Sequence, residues 1–228
     1  MRRRLLWVFF FFGIGASATW YFRVDIFQFL LAPAGGRLSP DGKPVFLSPT
    51  EMLSLSVGLS IKGGLIACGP VLLYQAYGFL RPLLSVKVKH FIWWFLPLGA
   101  LCYLGGMAFA YFVMLPTGVQ YLLQFGTEIA TPMIRITDYM AMVTALIFWL
   151  GIVFELPLAM LLLAKLRIVD YKRFQRIRRY VPVAAFTLGV IITPTIDPVN
   201  ATLVAVPLIV LYEVGVFLSW LVRPRRVV

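Results

Sequence analysis

Acidic residues are scarce in this chain of 228 residues: nine Asp and Glu stand against 21 Lys and Arg. Histidine and cysteine are scarcer still, with His90 alone and only Cys68 and Cys102. Two thiols without a CxxC spacing or a nearby histidine give no metal site. Both fall inside apolar runs, which predicts membrane-buried thiols rather than a disulfide. No H-E-x-x-H, no G-x-S-x-G and no Ser–His or paired-Asp constellation is present within the apolar runs, so no catalytic residue, metal or cofactor is expected. Gly42-Lys43-Pro44 lacks the upstream glycine spacing and the Ser or Thr of a phosphate-binding loop. Gly13-Ile14-Gly15-Ala16-Ser17-Ala18 fits GxGxxA, but no strand precedes it. Small residues for close helix packing explain it better than dinucleotide binding.

What the chain has in abundance is apolar sequence. It is 61% hydrophobic with a mean hydropathy of +0.90, above the roughly 45–50% of a soluble domain. A net charge of +12 raises the question of nucleic acid. The aromatic residues, however, are scattered through apolar runs and form no basic binding surface. The expectation is an all-α integral membrane protein, one domain over residues 1–228, in the cytoplasmic membrane.

Runs poor in charge predict six helical spans, near 5–22, 51–79, 91–115, 139–164, 180–196 and 199–222, because unpaired backbone groups are not tolerated in lipid. The third is expected to end near Leu115-Pro116. Basic residues sort to one side. Arg2, Arg3 and Arg4 precede span one; Arg81, Lys87 and Lys89 follow span two; Lys165, Arg167, Lys172, Arg173, Arg176, Arg178 and Arg179 follow span four; Arg223, Arg225 and Arg226 end the chain. Sixteen of the 21 basic residues thus share one face, and both termini are assigned to the cytoplasm. The basic loop 165–179 reads as a collar on anionic lipid. A competing reading of the first span is a cleaved signal peptide ending at Ala16-Ser17-Ala18.

Besides Glu51, which opens the second span, and Glu213, which interrupts the last, two charges stand inside the spans. Glu155 is the one charged residue in the 26 between Asp138 and Lys165. An ionisable group there is costly, and such groups usually face the protein interior or a water-filled cavity. Lys62, counted back about 20 residues from Arg81, is expected near the outer interface, where its stem can snorkel.

Ser48-Pro49-Thr50-Glu51, Pro70-Val71-Leu72-Leu73-Tyr74-Gln75, Phe79-Leu80-Arg81-Pro82 and Gly106-Met107-Ala108-Phe109-Ala110-Tyr111-Phe112 occur in this order. Phe154-Glu155-Leu156-Pro157, Arg178-Arg179-Tyr180, Thr193-Pro194-Thr195-Ile196-Asp197-Pro198 and Leu211-Tyr212-Glu213 follow. Together these stretches resemble the TatC subunit of the twin-arginine protein translocase across nearly the whole chain. The resemblance implies a cupped six-helix bundle that is a receptor and assembly core, not an enzyme. It would bind twin-arginine signal peptides, join TatA-type and TatB-type single-span partners in a homo-oligomeric receptor complex, and pass folded proteins outward on the proton-motive force. Glu155 would meet a partner helix or the inserted signal peptide, with an internal hydrogen bond as the plainer role. Thr193, Asp197 and Asn200 would form a polar site for a TatA-type helix; a capped turn at Asp197-Pro198 is the plainer role. Phe79 and Arg81 would lie at the cytoplasmic signal-peptide surface, and Glu213 near the end of the last span. Pro33, Pro49 and Glu51 would shape an outer cap. The short fifth and sixth spans match a family feature that thins the bilayer locally.

The departures bear on recognition. Members of the family begin with His-Leu-x-Glu-Leu-Arg, and this chain opens Met1-Arg2-Arg3-Arg4-Leu5 within the corresponding segment, without that glutamate. The second acidic reader falls at Val88, and the usual outer Gln falls at Ala201. Both carboxylates expected to pair with guanidinium groups are therefore missing. Two other readings stay open at this point: a proton-coupled small-solute transporter that uses Glu155, and a scaffold paralogue that only holds partner helices.

Overall fold

A computed structural model describes residues 2–35, 44–80, 86–124, 133–192 and 198–222. The elements are α1 (Arg2–Tyr21), α2 (Arg23–Leu31), α3 (Glu51–Leu80), α4 (Val86–Phe109), α5 (Leu115–Gln124), α6 (Ile136–Val153), α7 (Leu156–Lys165), α8 (Tyr171–Ile177), α9 (Val181–Ile192) and α10 (Pro198–Leu221). Among the described residues four stretches are long and apolar enough to cross a membrane: Glu51–Leu72, Phe95–Tyr121, Ile136–Lys165 and Ala201–Leu221. Leu6–Tyr21 is a shorter apolar helix, and α9 has 12 residues. Among the described residues the one β contact is an isolated bridge between Val45 and Arg135.

Contacts divide the chain into two compact units: residues 1–75 with 107–148, and residues 76–106 with 149–228. In the first unit, α1 lies against α3 through small residues. A Cβ on Gly15 would fall 2.6 Å from the Ala67 Cβ, and one on Gly64 would fall 2.9 Å from the Phe12 carbonyl oxygen. Gly15 of the GxGxxA run is thus a packing residue, while Gly13 faces open space. Cys68, buried in the same seam, donates to the Val8 carbonyl at 3.5 Å, and both cysteines are free thiols.

The last carbonyls of a helix lack intrahelical donors. At the end of α2 two tyrosines supply them: Tyr111 Oη donates to Phe29 O at 2.7 Å and Tyr139 Oη to Leu30 O at 2.9 Å. The Tyr111 ring also stacks on Phe29 with centroids 4.2 Å apart. Beyond α2, Ala32-Pro33-Ala34 makes a 3₁₀ turn closed by Gly35 at φ +57°, a left-handed conformation that glycine adopts without steric cost.

The third span does not end at Leu115-Pro116. A π turn over Ala110–Met114 joins α4 to α5, with the Leu115 N–H reaching back to the Ala110 carbonyl. The widened turn has already left the regular ladder when the chain reaches Pro116, so the missing proline N–H interrupts nothing. The fourth span breaks instead. Pro157 cannot donate to the Val153 carbonyl, and Phe154-Glu155 form a turn in which the Glu155 N–H bonds Ile152 O at 3.1 Å.

In the second unit α10 packs on α7 and α9. Met160, Phe174 and Val216 are buried together, with Leu156, Leu163, Ala164, Val169 and Tyr212 around them. Tyr212 Oη donates to Phe174 O at 2.8 Å, which ties α8 to α10. A Cβ on Gly189 would fall 2.5 Å from the Ala201 carbonyl oxygen, so the α9–α10 crossing is tight. The expected outer Gln position, Ala201, is fully buried in it.

Candidate functional site

Glu155 sits in the turn between α6 and α7 and is only 7% exposed. Among the described residues neither carboxylate oxygen has a hydrogen-bond partner; the Tyr103 backbone amide faces it without meeting hydrogen-bond geometry. The internal hydrogen bond considered from sequence is thus not made among the described residues. Space for the carboxylate comes from Gly99: a Cβ there would lie 3.3 Å from Oε2, 3.6 Å from Oε1 and 3.5 Å from Leu158 Cδ2. A Cβ on Gly106 would lie 2.5 Å from Leu150 O and 2.8 Å from the Phe154 Cβ. The Cys102 thiol lies in the neighbourhood of Glu155. Gly99, Cys102 and Gly106 follow i, i+3, i+7 spacing, one face of a helix, and that face receives the Glu155 turn. None of the three stood out in the sequence as a site residue. Their small-residue spacing on one apolar helix was the available signal.

Glu51 is buried at the start of α3 and fully engaged. Its Oε2 accepts the Leu47 N–H at 2.7 Å and the Ser48 N–H at 3.4 Å. Its Oε1 accepts the Thr137 hydroxyl and lies 3.7 Å from Arg135 Nη2. Ser48-Pro49-Thr50-Glu51 is half of a capping box, with the glutamate reaching back to the backbone of Leu47 and Ser48 from the first residue of α3. The Ser48 hydroxyl turns to Thr50 instead, at 3.0 Å. Val45 O accepts the Ile136 N–H at 3.0 Å, so Glu51 knots the segment before α3 to the start of α6. Pro33 lies in the 3₁₀ turn after α2 and Pro49 in the turn that leads into α3.

Glu213 on α10 accepts the Arg178 Nε–H at 2.5 Å. The pair joins two of the sequence stretches singled out above, Arg178-Arg179-Tyr180 and Leu211-Tyr212-Glu213, and takes one charge from the basic loop. Phe79 is in the last turn of α3 and Asn200 in the first turn of α10; their side chains lie outside what the structure describes. Arg81, Thr193 and Asp197 lie outside the described residues.

Lys62 stands inside its helix of 30 residues, 18 residues before the end of α3 at Leu80. It stands 11 residues after Glu51, about 16 Å along the axis, and its ammonium donates to Thr144 Oγ1 at 2.9 Å. Glu51 meets Thr137 and Lys62 meets Thr144, so α3 and α6 run parallel, as the second and fourth spans of an alternating chain must.

Comparison with known proteins adds to this geometry. The family model described as Sec-independent protein translocase protein (TatC) matches residues 1–207. A Sec-independent protein translocase protein TatC of Koribacter versatilis is 32% identical, over 99% of this chain and 84% of its own length. One from Aquifex aeolicus is 33% identical over 99% and 94%, and one from Escherichia coli K12 is 32% identical over 87% and 77%. A crystal structure titled as the twin arginine translocase receptor TatC superposes with a TM-score of 0.85 at 33% identity, covering 97% of this chain and 96% of its own.

Proposed function

Because the chain belongs to the TatC family of Sec-independent protein translocase proteins, we propose that it acts as one six-helix membrane domain that receives twin-arginine signal peptides at the cytoplasmic face. With TatA-type single-span partners, and a TatB-type one where present, it passes folded proteins across the cytoplasmic membrane on the proton-motive force. The observation that carries this reading is the likeness to a twin-arginine translocase receptor over 97% of the chain. The small-solute transporter and the scaffold paralogue have no comparable support.

Within that function Glu155 is the contact for a partner helix or an inserted signal peptide. Support comes from its burial without a hydrogen-bond partner among the described residues, since a buried carboxylate left unpaired is costly. Thr193, Asp197 and Asn200 would dock a TatA-type helix, and Phe79, Arg81 and Glu213 would lie along the signal-peptide path. Pro33, Pro49 and Glu51 would hold the outer cap. Arginine reading would proceed without an acid at the Val88 position.

The test is export of a folded reporter behind a twin-arginine signal, in a strain without its own translocase, with this chain and a TatA-type partner supplied together. Export that stops on Lys-Lys replacement of the signal and on adding an uncoupler is expected. Export indifferent to the Lys-Lys change would overturn the recognition step, and no export with any partner tried would overturn the function.

A further inference from the structure

A second charge lies within the apolar stretches, and the function above leaves it unused. Lys62 is on α3 and its ammonium reaches Thr144 of α6. That hydroxyl is neutral, and it already donates to Met140 O at 2.6 Å. Among the described residues no carboxylate lies within 4.0 Å of the ammonium; the two ion pairs are Arg135–Glu51 and Arg178–Glu213. The one acid that lines the same space, Glu51, is taken up by the Leu47 and Ser48 amides, Thr137 and Arg135.

The space itself is a cavity of about 160 Å³ whose polar lining is Glu51, Ser54, Lys62, Thr137 and Thr144. Gly58, one turn before Lys62 on the same face, leaves a gap: a Cβ there would meet nothing within 4 Å. Lys62 is exposed along its flank, and Ile61 and Leu65 beside it are 49% and 41% exposed. The cation is therefore reachable from the side of the helix pair.

We propose that this cavity is a docking site for a carboxylate carried by a second membrane-spanning helix. Charge complementarity names the group, because a lysine held in an apolar span by a neutral hydroxyl lacks the acidic partner such residues normally have. Depth names its carrier. The 30-residue α3 is about 45 Å long, the thickness of a bilayer with its headgroups, and centred there it holds Lys62, about 16 Å from its start, within the hydrocarbon core and away from the lipid phosphates. A carboxylate on a helix already within the bilayer arrives at that depth. A volume of 160 Å³ holds a short acidic side chain with one or two waters, each of which needs about 30 Å³. The inference rests on the chain working among partner helices, as proposed above, but it uses Lys62 and not Glu155.

The test uses the full chain in phosphatidylcholine vesicles and a labelled Leu/Ala single-span peptide with Glu, Gln or Leu at its midpoint, read by energy transfer. The Glu peptide should bind about ten-fold more tightly than the Leu peptide. That preference should disappear in Lys62→Met and survive in Lys62→Arg. Equal binding of the three peptides, Gln binding equal to Glu, or a preference that persists in Lys62→Met would each overturn the proposal. Loss of the preference in vesicles with about 30% phosphatidylglycerol would assign the site to lipid phosphate and overturn it as well. Reporter export is a separate measurement, so failure here leaves the translocase reading standing.

Discussion

Gly99 lies under Glu155: a single added carbon on the glycine would come within 3.3 Å of the carboxylate Oε2. The pair explains how a charged side chain fits beside an apolar helix, and it separates two roles. A carboxylate kept for internal structure would have a donor; this one has none among the described residues.

Glu155→Ala should therefore cost little stability, because it removes a buried group without a partner instead of breaking a bond. The melting temperature in detergent should stay within a few degrees of the parent, while export falls about ten-fold, the scale of one lost charge-assisted contact. Normal export by this variant would end the partner-contact role. Melting that collapses would show that the carboxylate holds the fold.

Adjacent glycines on α4 give a sharper contrast. Gly106→Ala would put a methyl 2.5 Å from the Leu150 carbonyl oxygen, a backbone atom that cannot swing away, whereas Gly105→Ala meets nothing within 4 Å. Overpacking of this kind costs about 1–3 kcal/mol, and an alanine in an open helical position gains about 0.5–1 kcal/mol. Thermal unfolding of the two variants should thus move in opposite directions.

Glu51→Gln keeps the shape and removes the charge that receives two amides, the Thr137 hydroxyl and Arg135. The loss should be about 1–3 kcal/mol, concentrated at the knot between the segment before α3 and α6. Hydrogen exchange should speed up at the Leu47 and Ile136 amides and stay unchanged at α10. Uniform acceleration would mean that the knot is not a local element.

Arg178 and Glu213 form an exposed pair, with side chains 60% and 36% accessible. A double-mutant cycle to alanine should return no more than about 1 kcal/mol, shrinking at high salt as screening shortens the range of the interaction. A coupling several times larger and insensitive to salt would contradict the geometry.

Helix beginnings were the most legible part of this chain. Ser48-Pro49-Thr50-Glu51 and Asp197-Pro198 carry local capping chemistry, and α3 and α10 start at Glu51 and Pro198. Interruptions were less legible, and for opposite reasons. Pro116 looked like an end but is carried through by a π turn, and the fourth span looked continuous but opens at Glu155, two residues before Pro157. Whether a proline ends a helix depends on what the neighbouring turn can absorb, which is a matter of packing. Pairings were not legible at all. Gly99, Cys102 and Gly106 marked a helix face without naming what it meets, and Arg178 lies 35 residues from Glu213.

The two contacts between α3 and α6 also act as a gauge. Eleven residues separate Glu51 from Lys62, about 16 Å of rise, whereas seven separate Thr137 from Thr144, about 10 Å. The shortfall of about 6 Å matches the length of an extended lysine stem, which leans toward the start of its own helix. The lysine stem thus spans the difference in methylene groups, and because Glu51 already pins the start of α3 to α6, a shorter cation at this position would lose its hydroxyl before either helix moved.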